Sequence, residues 1–195
     1  EERILKLASR LGVLRPRDLD EHGLAGTFLQ RLVESGAMRR VGRGLYVLAD
    51  REPSLHGSLA VVAKQAPAAV VCLLSALRFH ELTTQAPFEV WIAIPTGHRV
   101  PAASGVPLRV VRMARRPLEA GVTVHAIDGV KVPIFDAEKT VVDCFRYRNK
   151  IGLDVALEAI REYLRRRNRN VDRLLEYAAI DRVSTTIRPY LEAAL

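Results

Sequence analysis

Three arginines within five residues, Arg39, Arg40 and Arg43, surround Gly42 and Gly44 in the stretch from Met38 to Leu48. Positive charge this dense repels itself unless an anion neutralises it, so the chemistry on offer is contact with phosphates. Just upstream, Gly26, Thr27, Gln30 and Arg31 fall on one helical face, opposite Phe28, Leu29, Leu32 and Val33. Gln, Arg and Thr on a helix are the side chains that address base edges in the major groove. Glu34 shares that face and counts against DNA. A second reading, in which this face binds protein and the arginines form a solvated rim, stays open beside the first.

Other residue groups that catalyse or bind metals elsewhere give weaker signals. Asp136, Glu138, Lys139 and Asp143 resemble the carboxylate and lysine set of a metal-dependent nuclease. Such sets stand on strand ends around a cation, whereas here Asp136 suits a helix N-cap and Lys139 with Asp143 suits an i,i+4 pair on a helix surface. His80-Glu81 and Thr96-Gly97-His98-Arg99 are equally well explained as a helix end and an exposed loop. Ser75 lacks a nucleophile-elbow pattern, and Gly97, Gly105 and Gly121 do not form a phosphate-cradling loop. Cys72 and Cys144 stand apart, with neither a disulfide framework nor zinc-ligand spacing, which suits a reducing compartment. The residues therefore predict no enzyme, no cofactor and no metal.

The elements that must position the basic face follow from periodicity. Ile4, Leu7, Ala8 and Leu11 repeat as a helix that Gly12 ends. Pro16 opens a second short helix reaching about His22, and a third spans Ala25 to Ser35, closed by Gly36. Met38 to Leu48 then reads as a hairpin turning at Gly42-Arg43-Gly44, with Tyr46 in its core. Three helices and a basic hairpin predict a winged helix-turn-helix over residues 1–50, its third helix in the major groove and its hairpin on phosphates or the neighbouring minor groove.

Asp50 to Pro53 breaks both periodicities, and a second domain is expected over 54–195. Its first half offers a helix from about Leu55 to Gln65, a short extended piece at Val70 running into a buried helix to Leu82, and β-rich runs at Phe88–Ile94, Leu108–Met113, Val122–Ile127 and Val130–Phe135. The first run reads as a central strand, and Asp128-Gly129 turns the last two into a hairpin. From Asp136 the pattern is helical: a first helix opens at Asp136 and is separated by Gly152-Leu153-Asp154 from a second at 155–167, and two more follow at 171–179 and 186–195, the last kinked or restarted at Pro189. The predicted class is α+β: the winged helix, then a mixed, mostly antiparallel sheet with a C-terminal cluster of helices.

With 195 residues, 49% of them hydrophobic, the chain is long enough for two small cores. Thirty basic against 22 acidic residues leave a formal charge of +8, and Val90–Leu118 contains five arginines and no acid. That balance favours polyanionic partners. The run Arg161, Arg165, Arg166, Arg167 and Arg169 suits a solvated helix end. No apolar stretch reaches the roughly 20 residues of a membrane span, so a cytoplasmic protein is expected.

The order of segments resembles the AbiEi family of antitoxins. The likeness rests on Val41-Gly42-Arg43-Gly44-Leu45-Tyr46, on LLSALRFHELT from Leu73 to Thr83, on VWIAIP from Val90 to Pro95, and on DAEKTVVDCFRYRNKIGLDVALEA from Asp136 to Ala159. It spans nearly the whole chain, and the long final segment is its most specific part. The resemblance implies a two-gene toxin-antitoxin operon whose other product is a nucleotidyltransferase-like toxin. It further implies that the winged helix represses the shared promoter at inverted repeats, and that the second domain provides antitoxicity. The family is often described as type IV, countering the toxin without necessarily forming a stable complex; direct binding and modification of the toxin both stay open. The implied antitoxicity surface lies around Lys139, Asp143, Arg146, Arg148, Asn149 and Lys150. Gly26 and Thr27 stand where relatives carry bulkier or basic residues, so the operator cannot be borrowed from them.

Overall fold

The computed structural model describes residues 1–52, 54–102 and 105–194. Pro53, in the expected boundary, and Leu195, the expected end of the last helix, lie outside them. The chain divides into two compact units, one of residues 1–67, 101–107 and 125–132, the other of 68–100, 108–124 and 133–195.

The first unit begins with α1 (Glu2–Leu11), α2 (Pro16–Asp20) and α3 (Phe28–Glu34), continues into strands β1 (Met38–Gly42) and β2 (Leu45–Leu48), and includes α4 (Gly57–Gln65). Helix α1 buries Ile4, Leu7 and Ala8, and Gly12 at φ 72° ends it by returning its N–H to the Ala8 carbonyl. Pro16 starts α2, whose first turn is closed by Asp18 accepting the backbone N–H of Arg15 at 2.9 Å. Ile4, Leu7, Leu14, Leu19, Leu29, Leu32 and Met38 form one apolar cluster. Leu14 and Tyr46 exchange backbone hydrogen bonds of 2.8 and 2.9 Å, so the link between α1 and α2 adds an antiparallel bridge to the hairpin. Tyr46 packs against the cluster, as expected.

Two expectations for the third helix need correction. Ala25, Gly26 and Thr27 form a turn with i→i+3 hydrogen bonds before the helix starts at Phe28, since a glycine in the first turn disfavours helix and frees this segment to turn. Phe28 is 37% exposed and does not belong to the core face.

The second unit carries a five-stranded sheet of order β5-β4-β3-β7-β6. Its strands are β3 (Val70–Val71), β4 (Val90–Pro95), β5 (Leu108–Met113), β6 (Val122–Ile127) and β7 (Val130–Phe135); the turn end of the β6/β7 hairpin clusters with the first unit. The sheet is mixed, but the expected antiparallel majority is wrong. β4 pairs with β5 in parallel over six residues and β3 with β7 in parallel, while only β3/β4 and the tight β6/β7 hairpin run antiparallel. The link 96–107 is long enough to bring β5 back alongside β4 in the same direction, and β-propensity alone carries no information on strand direction. The centre of the sheet is the two-residue β3, not β4, although β4 is buried along nearly its whole length, as an inner strand should be.

Around this sheet stand α5 (Leu73–Phe79), α6 (Arg115–Glu119), α7 (Ala137–Arg146), α8 (Arg148–Ile151), α9 (Leu153–Leu164), α10 (Val171–Ile180) and α11 (Ser184–Ala194). Helix α11 runs through Pro189 without restarting. Asp136 caps α7 through its side chain, which accepts the Lys139 backbone N–H at 2.8 Å. Helix α7 packs against α5, α9 and α10, so little of its circumference meets solvent.

Helix α10 closes with the N–H of Val183 on the Ala178 carbonyl and that of Arg182 on Ala179, which puts the exposed Arg182 at φ 58°. A side chain in that left-handed region costs ~1–2 kcal/mol, against the ~0.5–1 kcal/mol of extra unfolded-state freedom a glycine brings. Arg182→Gly is therefore expected to stabilise by about 0.5 kcal/mol, read as a higher urea midpoint. A lower midpoint would contradict this account of the helix end.

Candidate nucleic-acid interface

Helix α3 presents Gln30 and Arg31 to solvent, and the turn before it presents Thr27, with Gly26 half-buried. Gln30 donates from Nε2 to Glu34 Oε1 at 2.9 Å, so the acid on this face holds the glutamine amide in place and leaves its oxygen as an acceptor. The Arg31 guanidinium lies 5.9 Å from the centre of the exposed Phe28 ring, which gives the cation an apolar platform. An aromatic ring, an amide and a guanidinium thus share one exposed helical surface.

In the hairpin, Arg39 pairs with Val47 and Arg40 with Tyr46, and a bulge separates Arg40 from Gly42. Neighbouring strand residues point to opposite faces, so Arg39 and Arg40 diverge instead of forming one patch. Arg39 donates to the Arg51 carbonyl at 3.4 Å, and Arg40 curls back onto the Gly42 carbonyl at 3.1 Å. Arg43 is exposed at the turn, where Gly44 takes φ 67°. All three arginines reach solvent.

Beside the hairpin turn, Arg15 holds Asp18 with Nη2 at 2.9 Å and Nε at 3.2 Å, and Lys64 of α4 reaches the second carboxylate oxygen at 3.1 Å. Burial alone would raise the Asp18 carboxyl, but the hydrogen bonds from Arg15 and the lysine charge outweigh it and hold the group below the usual carboxylate range.

The second unit treats its six expected surface residues unequally. Lys139 and Asp143, expected as an exposed i,i+4 pair, are both fully buried, and this corrects their place in an interaction surface. Lys139 Nζ donates to Asp143 at 2.5 Å and to Asp181 at 2.9 Å, and lies 4.7 Å from the centre of the Phe135 ring. Burial works against the ammonium, yet the two carboxylates outweigh it and raise Lys139 above the usual lysine value. Arg146 Nη1 stands 4.0 Å from the other Asp181 oxygen, so Asp181 has two cations near it and Asp143 has Lys139. Burial, with the Asp181 carboxyl beside it, pushes Asp143 well up despite Lys139. Arg146 and Arg148 are half-buried and spend guanidinium hydrogen bonds of 2.8 Å on the Asp181 and Phe145 carbonyls. Only Asn149 and Lys150 of the six are exposed.

The remaining candidates have structural partners. Asp136 also receives Arg173 Nη2 at 2.7 Å and Tyr177 Oη at 2.9 Å, and burial raises its carboxyl in spite of these contacts. Glu138 accepts the Tyr163 hydroxyl at 2.8 Å. Ser75 Oγ accepts the Trp91 N–H at 2.9 Å, His80 Nε2 meets the Phe135 carbonyl at 2.7 Å, and His98 is exposed in a turn. Cys72 and Cys144 are buried, their thiols pushed well up by desolvation. Among the described residues no three His, Cys, Asp or Glu side chains gather as metal ligands, and no helix is long and apolar enough to cross a membrane. Sequence reasoning missed Asp181, Arg173 and Tyr177, since nothing in their spacing ties them to α7.

Comparison with known proteins fits this layout. Residues 2–49 match the sequence profile of a family described as transcriptional regulator, AbiEi antitoxin. No curated protein matches the chain. Among solved structures, the RV2827C protein from Mycobacterium tuberculosis is similar in fold, with a TM-score of 0.54 at 15% identity over 98% of this chain and 80% of that one. At that identity the likeness concerns the fold alone. Residues 2–49, which carry the exposed Gln30 and Arg31 and the three-arginine hairpin, are thus similar to the AbiEi antitoxin family of transcriptional regulators.

Proposed function

We propose that the chain is a promoter-binding autorepressor and the antitoxin of a two-gene operon, acting in the cytoplasm by binding, without catalysis, cofactor or metal. The observation that carries this reading is the exposure of Thr27, Gln30 and Arg31 around α3 together with Arg39, Arg40 and Arg43 on the hairpin, inside the segment that matches a transcriptional-regulator family. In this reading the three helices and hairpin act as a winged helix-turn-helix. Arg31 and Gln30 address base edges, Gly26 lets the backbone approach the duplex closely, and the hairpin arginines neutralise phosphates. The second unit counters a nucleotidyltransferase-like toxin, with Asn149 and Lys150 as its exposed contact residues and with Lys139, Asp143, Arg146 and Arg148 holding the helices behind them. The inverted repeats of the shared promoter are the expected operator.

Arg40→Ala/Arg43→Ala tests it in cells carrying a reporter behind the chain's own upstream region. Two lost phosphate contacts should weaken binding roughly tenfold or more at physiological salt and release the reporter, while protection against the toxin persists. Glu34, an acid on the groove-facing side, favours the alternative of an antitoxin that binds protein and not DNA. That alternative predicts a reporter indifferent to the chain, wild type or variant.

A further inference from the structure

The first unit contains a cleft of about 340 Å³ lined by Arg15, Pro16, Arg17, Arg43, Leu45 and Lys64, among others. Its cations come from three separate places in the chain: the start of α2, the hairpin turn and the last turn of α4. Arg15 and Lys64 are largely buried, with side chains 19% and 15% exposed, and share the single carboxylate of Asp18. Arg15 Nη1 also donates to the Lys64 carbonyl at 3.3 Å, so the two are fixed against one another. Arg17 is exposed and has no ion pair among the described residues. The cleft therefore keeps a surplus of positive charge after Asp18 is counted, on a floor with apolar proline and leucine. Held cations above an apolar floor suit a phosphodiester and its sugar better than a small, fully hydrated anion.

The position of the cleft relative to the reading helix is also fixed. The Cβ that Gly26 lacks would stand 3.6 Å from Pro16 Cβ, and that of Gly44 3.9 Å from Pro16 Cδ. Pro16 thus sits against both the entry to α3 and the hairpin turn, and the cleft adjoins the surface that would face the groove. Lys64 lies outside the segment that matches the regulator family, so nothing in that match assigns it.

We infer that this cleft takes a backbone phosphate of the duplex that α3 reads, with Arg17 and Lys64 as its phosphate contacts and Arg15 and Asp18 as the groups that position Lys64. The inference rests on the DNA-binding reading above, and it extends the DNA-contacting surface to α4.

The test is equilibrium binding of the full chain to its own upstream duplex and to a scrambled duplex of equal length, across a salt series. The wild type is compared with Arg17→Ala, Arg17→Glu and, as a base-reading control, Gln30→Ala. Arg17→Ala should weaken both duplexes by the same factor, about three- to tenfold, and make the dependence of log affinity on log salt shallower by about one phosphate contact. Arg17→Glu should weaken both further, and Gln30→Ala should reduce only the preference for the cognate duplex. Arg17 variants that bind both duplexes like a specifically binding wild type would overturn the inference and leave the DNA-binding reading standing. A loss confined to the cognate duplex would also overturn it, since a phosphate carries no sequence information. A wild type that binds neither duplex would overturn the reading itself and the inference with it. Because Arg17 is exposed, a matching thermal melt for each variant excludes misfolding as the cause.

Discussion

Replacing Lys139 by methionine should destabilise the chain by about 3–5 kcal/mol, because it leaves Asp143 without a cation and Asp181 with only Arg146, 4.0 Å away, in a site from which water is excluded. The methylene stem is kept, so the loss reports charge and not packing. Asp143 Oδ2 and Asp181 Oδ1 already accept no hydrogen bond, and without the ammonium the inner oxygens lose theirs too. The sign of the pH dependence follows. Burial already pushes the Asp143 carboxyl up in the presence of Lys139, so in the variant this group prefers to be protonated when folded: stability is present below the unfolded carboxyl value of about 4 and is lost as pH rises through the raised folded value. The penalty should therefore shrink as the pH is lowered from about 7 towards 5. Lys139→Met/Asp143→Leu/Asp181→Leu should recover most of the loss, since a buried ionic cluster and an apolar one of similar volume are often near parity. Urea midpoints at two pH values check all three statements. A single-variant cost under about 1 kcal/mol would mean that the cluster is not buried as described.

Gly12→Ala should cost about 2–4 kcal/mol, whereas Gly36→Ala should cost only about 1. Both glycines have a positive φ, 72° and 74°, which disfavours any side chain. The difference lies in what a Cβ would meet: at Gly36 nothing within 4 Å, at Gly12 the carbonyl oxygen of Asp128, well inside van der Waals contact. A backbone oxygen cannot rotate aside as a flexible side chain can, so the Asp128-Gly129 turn must move away from the end of α1. That turn is also held by Arg51 at 3.7 Å and Ser54 at 2.7 Å from the Asp128 carboxylate, so moving it costs polar contacts as well. Comparable melting shifts for the two variants would show that strain alone, and not the close approach, sets the cost at Gly12.

Features whose cause lies within a few residues were legible in the sequence. Asp136 could be read as a cap because an N-cap acts on a backbone N–H three positions on, and the two hairpins could be read from Gly42, Gly44 and Asp128-Gly129 because turn chemistry is local. Lys139 and Asp143 show where locality ends. Their i,i+4 spacing was read correctly, but that spacing is the same for an exposed pair and a buried one, and the deciding partner, Asp181, lies 42 residues beyond Lys139. Strand direction failed for the same reason: Val90–Pro95 and Leu108–Met113 announce themselves as strands, and only their long-range pairing makes them parallel. Phe28 has the spacing of a core residue and stands in solvent beside Arg31, an arrangement that hydrophobic periodicity alone cannot anticipate. Of the candidate interface, residue types and exposure were readable. The diverging directions of Arg39 and Arg40, the Gln30–Glu34 hydrogen bond and the recruitment of Lys64 were not.

Binding of the purified chain to its own upstream region is the most direct measure of the central claim. A scrambled duplex of the same composition is run alongside at about 50 and about 200 mM salt. The account predicts affinity for both duplexes that falls steeply with salt, with the cognate duplex preferred by roughly a thousandfold or more at the higher concentration, as specific regulators require. Equal affinity for the two duplexes, or none for either, would contradict it.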